Sequence, residues 1–175
     1  LYFEPYAEEV AGRVKGMAIN TALELAAGTG RVTNHLRKAL TKNARLIASD
    51  LSADMLEVAK EKLKGENVEW RVIDATELPF EDNSIGLIVC CFGYMFVPEK
   101  MKAYSEALRV LKKGGMLLFT TWDRLSTLGT SNVFRTVAKK YLPDPPPAFF
   151  GLPYSMHDEA PIKDNLKKTG FSKVQ

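Results

Sequence analysis

Thr21-Ala22-Leu23-Glu24-Leu25-Ala26-Ala27-Gly28-Thr29-Gly30-Arg31-Val32 decides the fold. Residues 21–25 form a short apolar run of strand length. Two glycines separated by one residue then break any regular pattern, because glycine reaches backbone angles closed to other residues. From residue 31 the spacing changes: Val32, Leu36 and Leu40 recur with a helical period and share one side of a helix over 31–41. The stretch therefore reads as strand, glycine turn, helix. The first N–H groups of such a helix point at whatever occupies the turn.

Working outward, the same unit repeats. Residues 45–50 (RLIASD) form an apolar strand ending in Asp50, Ser52 is placed to cap a helix over 53–64, Leu56, Ala59 and Leu63 share its inner face, and Gly65 stops it. Residues 68–74 (VEWRVID) form a third strand ending in Asp74. Residues 85–92 (IGLIVCCF) are apolar without alternation, the mark of a central parallel strand covered on both faces. A helix over 98–113 follows, with Met101, Tyr104, Leu108 and Leu111 directed toward a core; Gly114-Gly115 ends it before a fifth strand, 116–122. Upstream, residues 4–15 read as a helix with Pro5 in its first turn. Downstream, 132–142 and 158–169 read as helices around the proline-rich 143–147, and Phe171-Ser172-Lys173-Val174 begins a sixth strand. Strands alternating with helices give a Rossmann-like α/β fold, a doubly wound, mainly parallel sheet flanked by helices, with its C-terminal strands cut short. The expected organisation is one domain over 1–175, with a core over 18–122 and an acceptor-side lid over 123–156.

Bulk properties narrow the function. The chain is 46% hydrophobic and 26% charged, the balance of an ordinary folded domain rather than a disordered or membrane-embedded one. Its net charge of +3 comes from lysines and arginines scattered among acids, with no basic stripe to track a phosphate backbone, so a nucleic-acid partner is not expected. No apolar run reaches membrane-spanning length, and no leader opens the chain. Cys90 and Cys91 are adjacent and would point to opposite faces of a strand; they offer no metal-ligand spacing and read as buried, reduced thiols of a cytoplasmic protein.

Three strand ends carry the chemistry. Open α/β sheets bind ligands beyond the carboxyl ends of their strands, and Gly28, Gly30, Asp50 and Asp74 all fall there. Asp50, twenty positions after Gly30, is placed to accept hydrogen bonds from two ribose hydroxyls; it is equally placed to cap the next helix. Glu24 separates two ligand classes. A carboxylate beside the glycine turn repels the pyrophosphate of a dinucleotide, but attracts a ligand bearing an ammonium and a sulfonium. Thr33 occupies the position of the third glycine of the dinucleotide pattern, and Tyr104-Ser105-Glu106-Ala107-Leu108 lacks the lysine of a Tyr-x-x-x-Lys pair. Both weigh against an NAD(P)-dependent oxidoreductase on the same sheet.

Four ordered segments carry a family resemblance. Leu23-Glu24-Leu25-Ala26-Ala27-Gly28-Thr29-Gly30 resembles the first motif of class I S-adenosylmethionine (SAM)-dependent methyltransferases. Ser49-Asp50-Leu51-Ser52-Ala53-Asp54-Met55-Leu56 resembles the second, Asp74-Ala75-Thr76-Glu77-Leu78-Pro79-Phe80 the third, and Leu108-Arg109-Val110-Leu111-Lys112-Lys113-Gly114-Gly115 the helix and turn before the fifth strand. The match runs in order over residues 5–122 and is most similar to small-molecule methyltransferases of the quinone-biosynthesis type. The resemblance implies SAM as cofactor, S-adenosylhomocysteine as product and a small-molecule acceptor methylated at O, N or C. It implies that Ala26, Gly28 and Gly30 hold the methionine part, Glu24 its amino end, Asp50 the ribose, Leu51 and Met55 the adenine face, Asp74 and Ala75 the adenine edge, and that Cys91 and Phe92 lie beneath the methionine and sulfonium. Alanine at 26 and 27, where relatives carry glycine or another small residue, is expected to be tolerated. The family's sheet closes with an antiparallel sixth and seventh strand, so the chain reads as a fragment or as a chain with unobserved ends. A SAM-binding module without catalysis is the remaining alternative.

Methyl transfer from a sulfonium requires positioning more than a dedicated base, and no catalytic residue is assigned. Tyr94, Trp122 and His157 are expected on the acceptor side, although His157 also reads as a helix N-terminal residue. His35 is expected at the surface. The aromatic residues Phe134, Tyr141, Phe149, Phe150 and Tyr154 of the 123–156 insert fit either a lid over an apolar acceptor or plain loop packing. Acceptor and oligomeric state are left open by the sequence.

Overall fold

The structure, a computed structural model, describes residues 2–127, 129–142, 147 and 150–175, without the side chains of Ser126, Thr130, Ser131, Asn132, Phe134 and Arg135. Five parallel strands, β1 (Thr21–Leu25), β2 (Arg45–Asp50), β3 (Glu69–Val72), β4 (Ile85–Cys91) and β5 (Leu111–Thr120), pair in the order β3-β2-β1-β4-β5. Helices α1 (Glu4–Val14), α2 (Arg31–Ala39), α3 (Ala53–Lys62), α4 (Lys100–Val110), α5 (Gly129–Ala138) and α6 (Glu159–Thr169) complete the fold.

Side-chain alternation divides the core. Ala22, Leu46, Leu87 and Val89 meet Val10 and Val14 of α1 and Leu36 of α2 on one face. Leu23, Leu25, Ile47 and Ile88 meet Ala103, Tyr104, Ala107 and Val110 of α4 and Leu166 of α6 on the other. β4 is covered on both sides, which accounts for its unbroken apolar run. Strand order reverses at β1, so the crevice at its carboxyl end, between the β1 and β4 loops, is the topological switch point.

Three expectations are corrected. Of Met101, Tyr104, Leu108 and Leu111, Tyr104 and Leu111 are buried in the core, but Met101 is exposed and Leu108 half-buried; the inward face of α4 is completed by Ala103, Ala107 and Val110. β5 begins at Leu111, not 116: Leu111 pairs with Ile85, then the ladder resumes at Met116 opposite Leu87, and Gly114 at φ +79° turns the intervening residues out. Residues 171–174 form no strand. Gly170 adopts φ +117° and the Phe171 N–H donates to Leu166 O, so Gly170 and Phe171 cap α6.

Candidate functional site

The glycine turn is pinned from below by its neighbours. Ala27 N–H donates to Ser49 O at 2.9 Å, Ser49 Oγ donates to Glu24 O at 2.8 Å, and Gly28 N–H donates to Asp50 Oδ2 at 2.8 Å. Asp50 Oδ1 accepts from Ser52 N–H at 2.9 Å, while Ser52 caps α3 through Met55 N–H. Asp50 thus couples the turn to its own strand end, and Ile73 N–H donates to Asp50 O, bringing the end of β3 into the same cluster.

Backbone strain concentrates here. Gly28 and Gly30 have φ of +55° and +80°, and Ala26 and Phe92 take +55° and +54°. Left-handed angles cost a non-glycine residue about 1–2 kcal/mol, so the alanine at 26 is tolerated at a cost. No atom lies within 4 Å of a Cβ built on Gly28, which leaves that backbone open to a ligand. Gly30 is different: a Cβ would meet Ala59 Cβ at 3.0 Å, so it serves the contact between the turn and α3. Gly93, which no sequence motif marks, closes the site from β4: a Cβ there would fall 2.5 Å from Ala26 Cβ and 2.6 Å from Cys90 Sγ. Gly93, the residue after Phe92, is therefore packed directly against the glycine turn.

Glu24 lies 1% exposed beneath this turn, and its Oε2 has no hydrogen-bond partner. Burial pushes its carboxyl up from the ordinary 4.5 to about 7, and the Asp50 charge adds to it. Thr33 Oγ1 and Thr120 Oγ1 are also buried without a hydrogen-bond partner. An orphaned carboxylate oxygen is costly unless a donor arrives, and a cationic amine is the donor that suits it best. Burial pushes the Cys91 thiol up to about 12, so it is a neutral lining group rather than a nucleophile.

Asp74 stays ionised: Oδ1 accepts from the backbone N–H and the hydroxyl of Thr76 at 2.7 and 2.8 Å, which lowers its pKa. Ala75 packs against the core. Leu51 and Met55 are 67% and 47% exposed beside Asp50, an apolar pair open to solvent at the crevice rim. These residues gather on the β1–β2–β3 side, with Cys91 and Phe92 on the β4 side.

The acceptor-side expectations fare unevenly. Tyr94 is fully buried between Tyr104 and Phe119, and its hydroxyl has no hydrogen-bond partner; it is a core residue. His157 is exposed, its Nδ1 2.8 Å from Tyr154 O and next to the α6 cap Asp158. His35 is no free surface group: it is partly buried with Nε2 2.6 Å from Glu4 Oε1. Phe149 and the side chain of Phe134 lie outside the described residues, and Tyr141 is 82% exposed. Trp122 stacks on Phe92 with ring centroids 4.1 Å apart and planes at 18°. Tyr2, Phe3 and Tyr6 of the N-terminal segment complete the cluster, Tyr6 standing edge-on to Phe92 at 5.1 Å and to Trp122 at 5.4 Å. Of this cluster the sequence singled out Phe92 and Trp122 as candidates; Tyr2, Phe3 and Tyr6 reach them from 86 or more positions away, and no local pattern signals that contact.

Residues 23–119 match the model of a methyltransferase domain. The chain belongs to that family. It is a SAM-dependent methyltransferase with the Rossmann-like fold. A demethylmenaquinone methyltransferase of Staphylococcus haemolyticus is 35% identical over 169 residues, spanning 88% of this chain and 69% of the relative. A ubiquinone/menaquinone biosynthesis C-methyltransferase UbiE of Idiomarina loihiensis is 28% identical over 183 residues, spanning 97% and 72%. A crystal structure of a SAM-dependent methyltransferase of Thermotoga maritima, described as a possible histamine N-methyltransferase, superposes with a TM-score of 0.70 at 26% identity, over 97% of this chain and 72% of that one. Neither the oxidoreductase nor the non-catalytic alternative is favoured by these matches. Among the described residues, no helix is long and apolar enough to cross a membrane.

Proposed function

We propose that this methyltransferase transfers the SAM methyl group to a small, flat organic acceptor admitted beside Phe92 and Trp122. The aromatic cluster is the observation that carries this reading. It stands at the carboxyl ends of β4 and β5, against the glycine turn, and its Tyr2, Phe3 and Tyr6 rings are 37–58% exposed. Ring faces and edges of this kind suit a planar apolar acceptor. The quinone-pathway names of the relatives point the same way.

In the same reading Glu24 receives the ammonium of SAM, and Ala26, Gly28 and Gly30 present backbone groups to the methionine. Asp50 has one lone pair left on each oxygen for the ribose hydroxyls. Leu51 and Met55 cover the adenine, Asp74 and Ala75 meet its edge, and Cys91 and Phe92 line the sulfonium end. SAM supplies an activated methyl group; the chain contributes position and exclusion of water, and no base is assigned.

The test combines calorimetry with a transfer assay. Wild type should bind S-adenosylhomocysteine but not NAD, and should methylate members of a phenol and quinol panel. Trp122→Ala should keep the calorimetric affinity and lose transfer. Binding of NAD instead, or equal transfer by wild type and Trp122→Ala, would sink the proposal.

A further inference from the structure

We propose that Glu4, Glu8 and His35 form a site for one divalent transition-metal ion of the Zn2+ class, joining α1 to α2 on the outer side of the glycine turn. Glu4 and Glu8 are one turn apart on α1 and so share a face. His35 reaches them from α2, and one ligand atom from each of the three residues lies within 4.8 Å of the other two. Glu4 Oε1 is 2.6 Å from His35 Nε2, while Glu4 Oε2 accepts from Arg31. Glu8 is exposed and has no ion-pair or hydrogen-bond partner among the described residues.

Like charges one turn apart on a helix repel, and Arg31 relieves only Glu4. A dication between the two carboxylates removes that repulsion. Zn2+ takes carboxylate oxygen and imidazole nitrogen at about 2.0–2.2 Å, which sets neighbouring ligand atoms roughly 3–3.5 Å apart. Glu4 and His35 are already closer than that and need only part slightly, the ion taking the place of the proton they share. Glu8, held by nothing, needs a change of rotamer. A cavity of about 250 Å3, lined in part by Glu4, His35, Thr29 and Asn34, opens beside the cluster and leaves room for a water as fourth ligand. Arg31 and Lys62 border the same space and oppose a cation. The site is independent of the acceptor reading, since none of its residues contributes to the proposed cofactor contacts.

The experiment titrates chelator-stripped protein with ZnCl2 by calorimetry, and with CoCl2 by visible absorption. Wild type should bind one ion with a dissociation constant of ~10–100 µM, and Co2+ should give the d–d bands of a low-coordinate N/O site. Glu8→Gln, at an exposed position that leaves the fold intact by circular dichroism, should weaken binding at least tenfold, and His35→Ala should do so as well. Retained affinity for S-adenosylhomocysteine in Glu8→Gln shows that the loss is local. Failure of wild type to bind below about 1 mM, or equal binding by wild type and Glu8→Gln, overturns the proposal.

Discussion

Replacing Glu24 by glutamine should abolish a pH dependence of stability that the wild type carries. The Glu24 carboxyl is raised from 4.5 to about 7 by burial, so the folded protein holds that proton more tightly than the unfolded chain does. A raised pKa contributes stability that is fully present below pH 4.5 and is lost as the pH climbs through 7. The full difference is 7 − 4.5 = 2.5 pKa units, or about 3 kcal/mol at 1.36 kcal/mol per unit. Between pH 5.5 and 8.5 the share still to be lost is about 2 kcal/mol. Urea denaturation of ligand-free wild type and Glu24→Gln at those two pH values measures it. The wild type should lose about 2 kcal/mol more than the variant. Comparing slopes removes the absolute cost of the new amide, whose N–H can donate to the unpartnered Thr33 Oγ1. The same charge should serve the cofactor: above pH 7 the variant should bind S-adenosylhomocysteine about 10- to 100-fold more weakly, the worth of one charge-assisted hydrogen bond. Parallel pH slopes in the two proteins would refute the assignment of Glu24 as a buried, uncompensated carboxyl.

Two further outcomes follow from the geometry of the turn and of the loop beside it. Ala26→Gly should relieve a φ of +55°; set against glycine's greater unfolded-state entropy, the net gain is about 0.5–1 kcal/mol in urea unfolding. Arg109 donates to Leu78 O, Phe80 O, Asp82 and Glu106 at 2.7–2.9 Å and so fastens the segment that follows Asp74. Arg109→Gln should destabilise by about 1–3 kcal/mol, with a weakened S-adenosylhomocysteine affinity measured by calorimetry alongside the melt.

The sequence by itself determined the alternation of the five strands with their helices and pointed to the candidate residues on loops after strands. The change of period at Gly28–Gly30 is a local signal, because it reflects a backbone that must leave the strand, turn with positive φ and enter a helix within a few residues. Asp50 and Asp74 were legible for the same reason, each ending or closely following a strand. Glu24 stood out as a carboxylate in an otherwise apolar strand, although its orphaned oxygen and raised pKa did not. Those depend on how completely α2 and the neighbouring strands bury it. Tertiary structure alone decided that Gly93 is needed against Ala26, that Tyr94 packs against Phe119 in the core, and that the N-terminal segment delivers Tyr2, Phe3 and Tyr6 to Phe92 and Trp122. Each of these is a contact between segments far apart in the chain. Periodicity and turn chemistry report only on neighbours a few residues apart, so side-chain burial and long-range packing become visible only when the sheet order β3-β2-β1-β4-β5 places the strand ends side by side.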